Sequence, residues 1–171
     1  PNERAAVLRF LQRKSGTPEY LEVAKKLGVL DQTEQLVKLI TAVPFNTLGV
    51  EAAKVLVDEH KLPAIQTAIE QADELASASA VSALGYVNEP AAHGFLLAII
   101  QDAARNRQLR SSAATALGHS EAGQQTLLAM VQAGQVTEEI QFAVTDALLS
   151  SINESIKNAA AELLKPPATA T

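Results

Sequence analysis

The three histidines are the side chains of this sequence that could do acid–base or metal chemistry near neutral pH. They are His60, His93 and His119. Neither His60 nor His119 has a partner at the H-E-x-x-H spacing, which places two metal ligands on one helix face. Both follow predicted helices, where a cation interacts favourably with the negative end of the helix dipole. We therefore expect helix-end roles for the histidines, and neither a metal nor a catalytic site.

Adjacent carboxylates could supply an acid–base pair, and the sequence has three such pairs. They are Asp58–Glu59, Asp73–Glu74 and Glu138–Glu139. The last two stand at predicted helix starts, where a negative charge is stabilised by a few tenths of a kcal/mol to about 1 kcal/mol. Helix capping therefore explains them more simply than catalysis. The sequence does not exclude a pair of catalytic carboxylates of the glycosidase type, although no spacing in it points to particular residues.

The densest basic cluster consists of Arg105, Arg107 and Arg110. Such a cluster could bind a phosphate or an acidic partner. It could also lie in a solvated loop that leads into a helix, with Arg110 bridging neighbouring repeats. The second interpretation is favoured because the whole chain is acidic. The sequence contains neither a glycine-rich phosphate loop nor a G-x-S-x-G nucleophile motif.

The composition excludes several classes of site. No cysteine occurs among the 171 residues, which rules out thiol nucleophiles, cysteine-ligated zinc, iron–sulfur clusters and covalent c-type haem attachment in this chain. The net charge of −5 argues against broad binding to nucleic-acid phosphates. Apolar residues make up 47% but aromatic residues only 4%, a mixture that suits thin, closely packed helices. The longest apolar run, Phe95–Ile100, is far shorter than the roughly 20 residues of a membrane-spanning helix.

The two ends of the sequence suggest a domain taken from a longer protein. The chain begins at Pro1 without an initiator methionine or a signal-peptide pattern, and it ends in KPPATAT, which is typical of a linker. We expect one repeat domain over residues 1–165 and a linker over residues 166–171. The compartment stays unassigned on these grounds.

Two seven-residue stretches nearly coincide: SAVSALG at Ser79–Gly85 and SAATALG at Ser112–Gly118. Each is followed by a polar break and then by a second apolar stretch, FLLAII or TLLAMV. Weaker copies of this two-part unit extend in both directions, so the chain contains five units with a period of about thirty residues. The equivalent leucines of the five units are Leu27, Leu56, Leu84, Leu117 and Leu148.

Each unit has the pattern of two helices joined by a tight turn. In the first helix, residues such as Ala80, Ala83 and Leu84 recur at i, i+3 and i+4 and lie on one helix face. Small side chains there let a neighbouring helix approach closely, so this face is a packing seam. The predicted helix starts are Thr17–Pro18, Asn88, Ser120, Thr137 and Asn153, with a capping box at Asp31 and Glu34. The glycines expected to end helices in the left-handed C′ conformation are Gly28, Gly85 and Gly118.

These features predict an all-α fold, a HEAT-like α-α superhelix (solenoid) of about five helical hairpins preceded by a helix from Asn2 to Arg13. Two longer connections are expected, over residues 43–49, where Pro44 stops a helix, and over residues 101–108. Tetratricopeptide repeats would carry a Trp/Leu-Gly/Tyr signature, and ankyrin repeats a T-P-L-H turn. Neither occurs in the sequence.

The stretch LRSSAATALG at Leu109–Gly118, with EAGQQTLLAMV after it, resembles the helix pair of short bacterial HEAT-like repeats. This resemblance covers about residues 21–164, and Ser77 replaces the arginine in the preceding copy. The part from AGQQTLLAMV to AELLKPP also resembles the HEAT segment of large bacterial proteins that join a sugar-dehydrogenase-like β-propeller, a HEAT region and a c-type haem domain. That resemblance implies an extracytoplasmic, periplasmic spacer beside a haem domain. It implies no haem-binding residue here, because the C-x-x-C-H motif is absent.

We expect a non-enzymatic, HEAT-like scaffold whose partner is a protein or a neighbouring domain, with no cofactor, no nucleic acid and no membrane insertion. One alternative is the spacer of a membrane-bound, dehydrogenase-like c-type haem protein, which supports electron transfer only by positioning. Another is a HEAT-like ligand-binding or enzymatic domain, which a pocket with His93 and a nearby carboxylate would favour. By analogy with HEAT-like folds, the second helices line a concave face. The polar side chains expected there are Gln35, Lys38, Gln66, His93, Gln124, Gln125 and Lys157.

Overall fold

A computed structural model describes Arg13, Glu19 and residues 33–164 of the chain. These residues form α-helices and no strand, which confirms the all-α prediction for this part of the chain. In chain order the helices are α1 (Thr33–Ile40), α2 (Thr47–Asp58), α3 (Leu62–Gln71), α4 (Glu74–Gly85), α5 (Pro90–Gln101), α6 (Arg107–Leu117), α7 (Glu121–Gln132), α8 (Glu138–Leu149) and α9 (Glu154–Leu163). None of the described helices is both long enough and apolar enough to cross a bilayer.

The order of the helices follows the predicted two-part units. The pairs α2 and α3, α4 and α5, α6 and α7, and α8 and α9 correspond to the last four units, and α1 is the second helix of the first unit. The predicted longer connections lie between α1 and α2 and between α5 and α6. The predicted helix from Asn2 to Arg13, its successor near residues 21–28 and the linker over residues 166–171 fall outside the described residues, apart from Arg13.

Side-chain caps explain where several helices begin. Asn46, Ser120 and Asn153 accept hydrogen bonds from backbone N–H groups in the first turns of α2, α7 and α9. Thr137 occupies the predicted position before α8, but its side chain makes no capping bond. The prediction for Asn88 is wrong by one residue: the cap is Glu89, because proline at the first helical position fixes where α5 begins.

The predicted capping role is confirmed for Asp73, and the predicted place at a helix start is confirmed for Glu138 and Glu139. Asp73 Oδ1 accepts a hydrogen bond from the N–H of Ala76 at 2.9 Å, at the start of α4. Glu138 and Glu139 lie in the first turn of α8. All three carboxylates therefore lie at the positive end of a helix dipole, as the sequence indicates. The predicted helix start at Thr17–Pro18 and Asp31 of the predicted capping box lie outside the described residues.

Contacts within the chain define two compact units, one ending at Ala83 and one beginning at Leu84. In the described part of the first unit, α1 packs mainly against α2, and α3 contacts both. Ser79 Oγ donates to the carbonyl of Ala42 at 2.6 Å, which ties α4 to the connection after α1. The fully buried side chains of this core include Ile40, Leu56 and Ile65. The prediction of a single domain over residues 1–165 stays a prediction.

The second unit is built around α6, which packs against α5 on one side and α8 on another. The last helix, α9, packs against α7 and α8. Alanines at the predicted seam positions are buried, and the larger core residues fill the space between the helices. Fully buried large side chains of this unit are Leu84, Leu96, Ile99, Ile100, Leu117, Leu127 and Ile140.

The two glycines of the repeated phrase do not adopt the conformation predicted for them. Gly118 has a φ of −67°, in the right-handed region. Gly85 is the last residue of α4, and its φ is not positive either. Among the described residues, a φ in the left-handed region occurs at His60 and Gly134. The predicted C′ role is therefore wrong for Gly85 and Gly118. Gly28, for which the same role was predicted, lies outside the described residues.

Close helix contact is what requires these glycines. A Cβ atom at Gly85 would lie 2.6 Å from the carbonyl oxygen of Ala116, and one at Gly118 would lie 2.5 Å from the Cβ of Ala147. Both distances are too short for real Cβ contacts. The end of α4 thus meets α6, and the end of α6 meets α8, in the same way. Repetition in the sequence corresponds to a repeated packing contact.

Candidate functional site

The polar residues predicted for a concave face lie on the second helices of the units, as expected from their positions. They are Gln35 and Lys38 on α1, Gln66 on α3, His93 on α5, Gln124 and Gln125 on α7, and Lys157 on α9. One of them, Gln124, bonds two turns between helices instead of joining a common site. The amide of Gln124 donates to the carbonyl of Gly118 at 2.9 Å and accepts from Ser151 at 2.7 Å. Their role in binding a partner stays a prediction.

His93 and Ser120 form a contact that resembles half of a catalytic dyad. His93 Nε2 lies 3.3 Å from Ser120 Oγ. The same oxygen accepts a hydrogen bond from the N–H of Gly123 at 3.0 Å, which is the capping bond of α7. That bond fixes the hydroxyl at the helix start, so the geometry accounts for Ser120 as a cap that His93 supports from α5.

An open pocket of about 430 Å³ lies where the turn after α4 meets the turn between α6 and α7. We call it the turn pocket, and its lining residues are Gly85, Tyr86, Asn88, His119, Ser120, Glu121 and Ala122. All belong to the second unit. A pocket with His93 and a carboxylate would favour the ligand-binding or enzymatic alternative, but the histidine in the turn pocket is His119 and not His93.

Two aromatic rings form one wall of the turn pocket. The rings of Tyr86 and His119 stack with centroids 4.4 Å apart and an interplanar angle of 29°. Burial lowers the pKa of His119 below its ordinary value of 6.5. The sequence indicates a favourable position for a cation at this helix end, whereas burial of the ring acts in the opposite direction and lowers its pKa.

The charge of the turn pocket comes from one side chain. Glu121 is the only ionisable carboxylate among the lining residues, and its Oε1 accepts a hydrogen bond from Asn153 Nδ2 at 2.8 Å. In the part of the chain that the structure describes, no three histidine or acidic side chains come close enough together to hold a metal ion. The pocket therefore combines stacked rings, neutral polar groups and a single negative charge.

Acidification is expected to destabilise the folded chain through His119. Its folded-state pKa is lowered, so as pH falls through about 6.5 the unfolded chain takes up the proton first, and stability decreases. The urea midpoint should drop between pH 7.5 and pH 5.5, and His119→Gln should reduce that drop. The same substitution at exposed His60 is the matched control. Equal effects of both substitutions would contradict the assignment to His119.

A second feature of this unit is a face of α8 with large apolar side chains that no other helix of residues 33–164 covers. We call it the outer α8 face, and it consists of Phe142, Thr145 and Leu149. Phe142 is 83% exposed and Leu149 is 39% exposed, whereas Val144 and Leu148 on the opposite side are buried. Exposed Ile152 lies in the turn that follows.

The same positions are small and covered on the preceding first helix. With Leu117 aligned to Leu148, Phe142 stands where α6 has Ser111, and Leu149 stands where α6 has Gly118. Ser111 Oγ donates to the carbonyl of Glu139 on α8, and Gly118 faces Ala147 of α8. The positions at which α6 contacts the next first helix are therefore occupied by large apolar side chains on α8.

Sequence reasoning missed both features. The turn pocket depends on Tyr86, which lies in a turn between helices and carries no periodic signal. The outer α8 face was detectable, because Leu149 interrupts the Leu-Gly ending shared by the two preceding copies. Comparisons with protein-family models, with characterised proteins and with solved structures gave no match to this chain.

Proposed function

We propose that the chain is a non-enzymatic, HEAT-like helical-repeat scaffold that binds a protein or a neighbouring domain through the outer α8 face. The observation that carries this proposal is the exposure of Phe142 and Leu149 at positions whose counterparts on α6 are covered by the next helix. Large apolar groups exposed together are typical of interaction sites.

The repeated contact supports the repeat-scaffold part of the proposal. Stacked repeats bury their hydrophobic faces against neighbours, and in such an array each first helix packs on the next. The contacts of Gly85 with Ala116 and of Gly118 with Ala147 have this character. The superhelical arrangement of the whole chain is part of the proposal. A spacer role in a haem-containing dehydrogenase-like protein is the special case in which the partner is a neighbouring domain.

The outer α8 face does not suit a further copy of the repeat and requires a partner of a different shape. At Gly85 and Gly118 the absence of a side chain lets the next helix approach closely. Leu149 cannot allow that approach, since it adds a whole side chain at the equivalent position. Phe142 likewise replaces a serine with a large ring. We therefore infer a partner surface that accepts these side chains in recesses of its own.

Site-specific photo-cross-linking tests the proposal. A photoreactive phenylalanine analogue at position 142, and separately at position 149, should give one dominant cross-linked polypeptide in cells that naturally produce the protein. Glu59, exposed at the end of α2, is the control position. Position 125 on α7 reports on the predicted concave face. If positions 142 and 149 yield only the products seen at position 59, the outer α8 face is not the docking surface.

A serine at position 142 separates binding from folding. The Phe142 ring is 83% exposed, so Phe142→Ser should leave the urea midpoint nearly unchanged. It should nevertheless abolish the cross-link at position 149. A large loss of stability, or an undiminished cross-link, would count against the proposal.

A further inference from the structure

The turn pocket has the size of a site for a small molecule. Its volume of about 430 Å³ falls within the range of roughly 300–1,000 Å³ that is typical of ligand pockets. Its walls come from two turns and the first residues of α7, and those turns are held by buried helices. Leu84 and Val87, which flank Tyr86, are almost wholly buried, and so is Leu117 just before His119. The pocket is therefore formed by a fixed framework.

The aromatic wall favours a positively charged group. The face of an aromatic ring carries a negative potential, so it attracts ammonium and guanidinium groups by about 0.5–2 kcal/mol. Tyr86 is 48% exposed, and its ring is held against the ring of His119 at a centroid distance of 4.4 Å. A cation that enters the pocket thus meets an oriented π-surface.

The charge of the pocket selects the same sign. Glu121 contributes one negative charge, and no lysine or arginine lies among the lining residues. Asn153 Nδ2 donates a hydrogen bond of 2.8 Å to one oxygen of this carboxylate and orients it at the start of α7. Because burial lowers the pKa of His119 below 6.5, its ring is mainly neutral near pH 7 and contributes little positive charge. The start of α7, which could otherwise attract an anion, is capped by Ser120 and carries the negative charge of Glu121 in its first turn.

We propose that the turn pocket binds a small organic cation of the alkylammonium type, with the ring of Tyr86 as the π-surface and Glu121 as the counter-ion. Asn88 and Ser120 supply neutral polar atoms around the bound group. This inference is independent of the scaffold function proposed above, which involves α8 and no residue of the pocket.

Tyrosine fluorescence gives a direct test. The chain has two tyrosines and no tryptophan, so Tyr20→Phe leaves Tyr86 as the only tyrosine reporter. Titration with tetramethylammonium chloride, at constant ionic strength against sodium chloride, should produce a saturable change with half-saturation at about millimolar concentration. Neutral tert-butanol, which has a similar shape, should produce none. A linear response, or an equal response to tert-butanol, would overturn the proposal.

Carboxylate variants identify the counter-ion. Glu121→Gln should raise the half-saturating concentration at least about threefold, because it removes the charge while keeping an acceptor for Asn153. Glu89→Gln, the matched control, makes the same change just outside the lining and should have a smaller effect. Urea midpoints of both variants report whether they fold. If a folded Glu121→Gln variant binds as tightly as the parent, the assignment of Glu121 is wrong.

A second readout tests the role of the ring. In Tyr86→Leu the fluorescent reporter is lost, so binding is followed through the imidazole resonances of His119 by NMR. Tetramethylammonium should shift those resonances in the parent chain and should no longer shift them in Tyr86→Leu. Shifts of the same size in both proteins would exclude Tyr86 as the π-surface.

Discussion

Gly85→Ala is expected to destabilise the folded chain by about 1–3 kcal/mol, although alanine is the better helix former. The added methyl group would lie 2.6 Å from the carbonyl oxygen and 2.8 Å from the Cα of Ala116. Since these are backbone atoms, Gly85 and Ala116 would have to move apart to admit it. The effect should be measured as a fall in the free energy of unfolding by urea denaturation.

The same substitution at Gly94 is the matched control and should have the opposite sign. Gly94 lies within α5, and no atom would lie within 4 Å of an added Cβ. Gly94→Ala should therefore stabilise the chain by up to about 1 kcal/mol through helix propensity alone. If both substitutions stabilise the protein, the close contact between Gly85 and Ala116 does not exist in solution.

Gly118→Ala extends this test to the next pair of helices. Here the closest neighbour of the added methyl group is another side-chain atom, the Cβ of Ala147, at 2.5 Å. Ala147→Gly should therefore restore part of the stability lost in Gly118→Ala, which a double-mutant cycle would show as a favourable coupling. No such rescue is expected for Gly85→Ala, because the backbone of Ala116 cannot be removed.

The helical architecture was largely readable from the sequence, and the role of its glycines was not. Apolar residues at i, i+3 and i+4, together with Ser120 and Asn153 as caps, locate the helices because both signals are local. A glycine at a helix end can have either of two roles: it can adopt a left-handed turn conformation, or it can leave room for a neighbouring helix because it has no side chain. Gly118 has the second role, which depends on where α8 lies.

His119 shows the same limit at the turn pocket. Its place after a helix indicates a favourable position for a cation, since the dipole is a property of the helix alone. Its pKa is lowered because the ring is partly buried in the second unit, where it also stacks on Tyr86. Burial arises from residues far apart in the sequence, so the periodicity that located the helices contained no information about it.

Arg110 and Ser77 occupy equivalent positions in two successive copies of the repeat, and they make the same kind of hydrogen bond although their side chains differ. Arg110 Nε donates to the carbonyl of Ile100 at 3.0 Å, at the end of α5. Ser77, which replaces the arginine in the preceding copy, donates through Oγ to the carbonyl of Ile69 at 2.9 Å, near the end of α3. In both copies the first helix thus supplies a donor to the last turn of the helix before it, where carbonyls lack helical partners.

Arg110→Met is expected to cost about 2–3 kcal/mol of unfolding free energy. The arginine is only 4% exposed, and besides Ile100 it bonds Glu139 Oε2 through Nη1 at 2.7 Å. A weaker contact of 3.4 Å joins Nη2 to Thr137 Oγ1. Methionine keeps an apolar stem of similar length but leaves the Ile100 carbonyl without this donor. The loss should be measured by urea denaturation at low and high salt.

Glu139→Gln distinguishes the buried hydrogen bond from the ion pair. The Glu139 side chain is 56% exposed, and glutamine keeps an acceptor for the guanidinium, so this change should cost less than about 1 kcal/mol. High salt should shrink the effect of Glu139→Gln and leave that of Arg110→Met nearly intact, since screening acts mainly on exposed charges. Equal losses in the two variants would mean that the ion pair with α8, and not the carbonyl at the end of α5, is what Arg110 contributes.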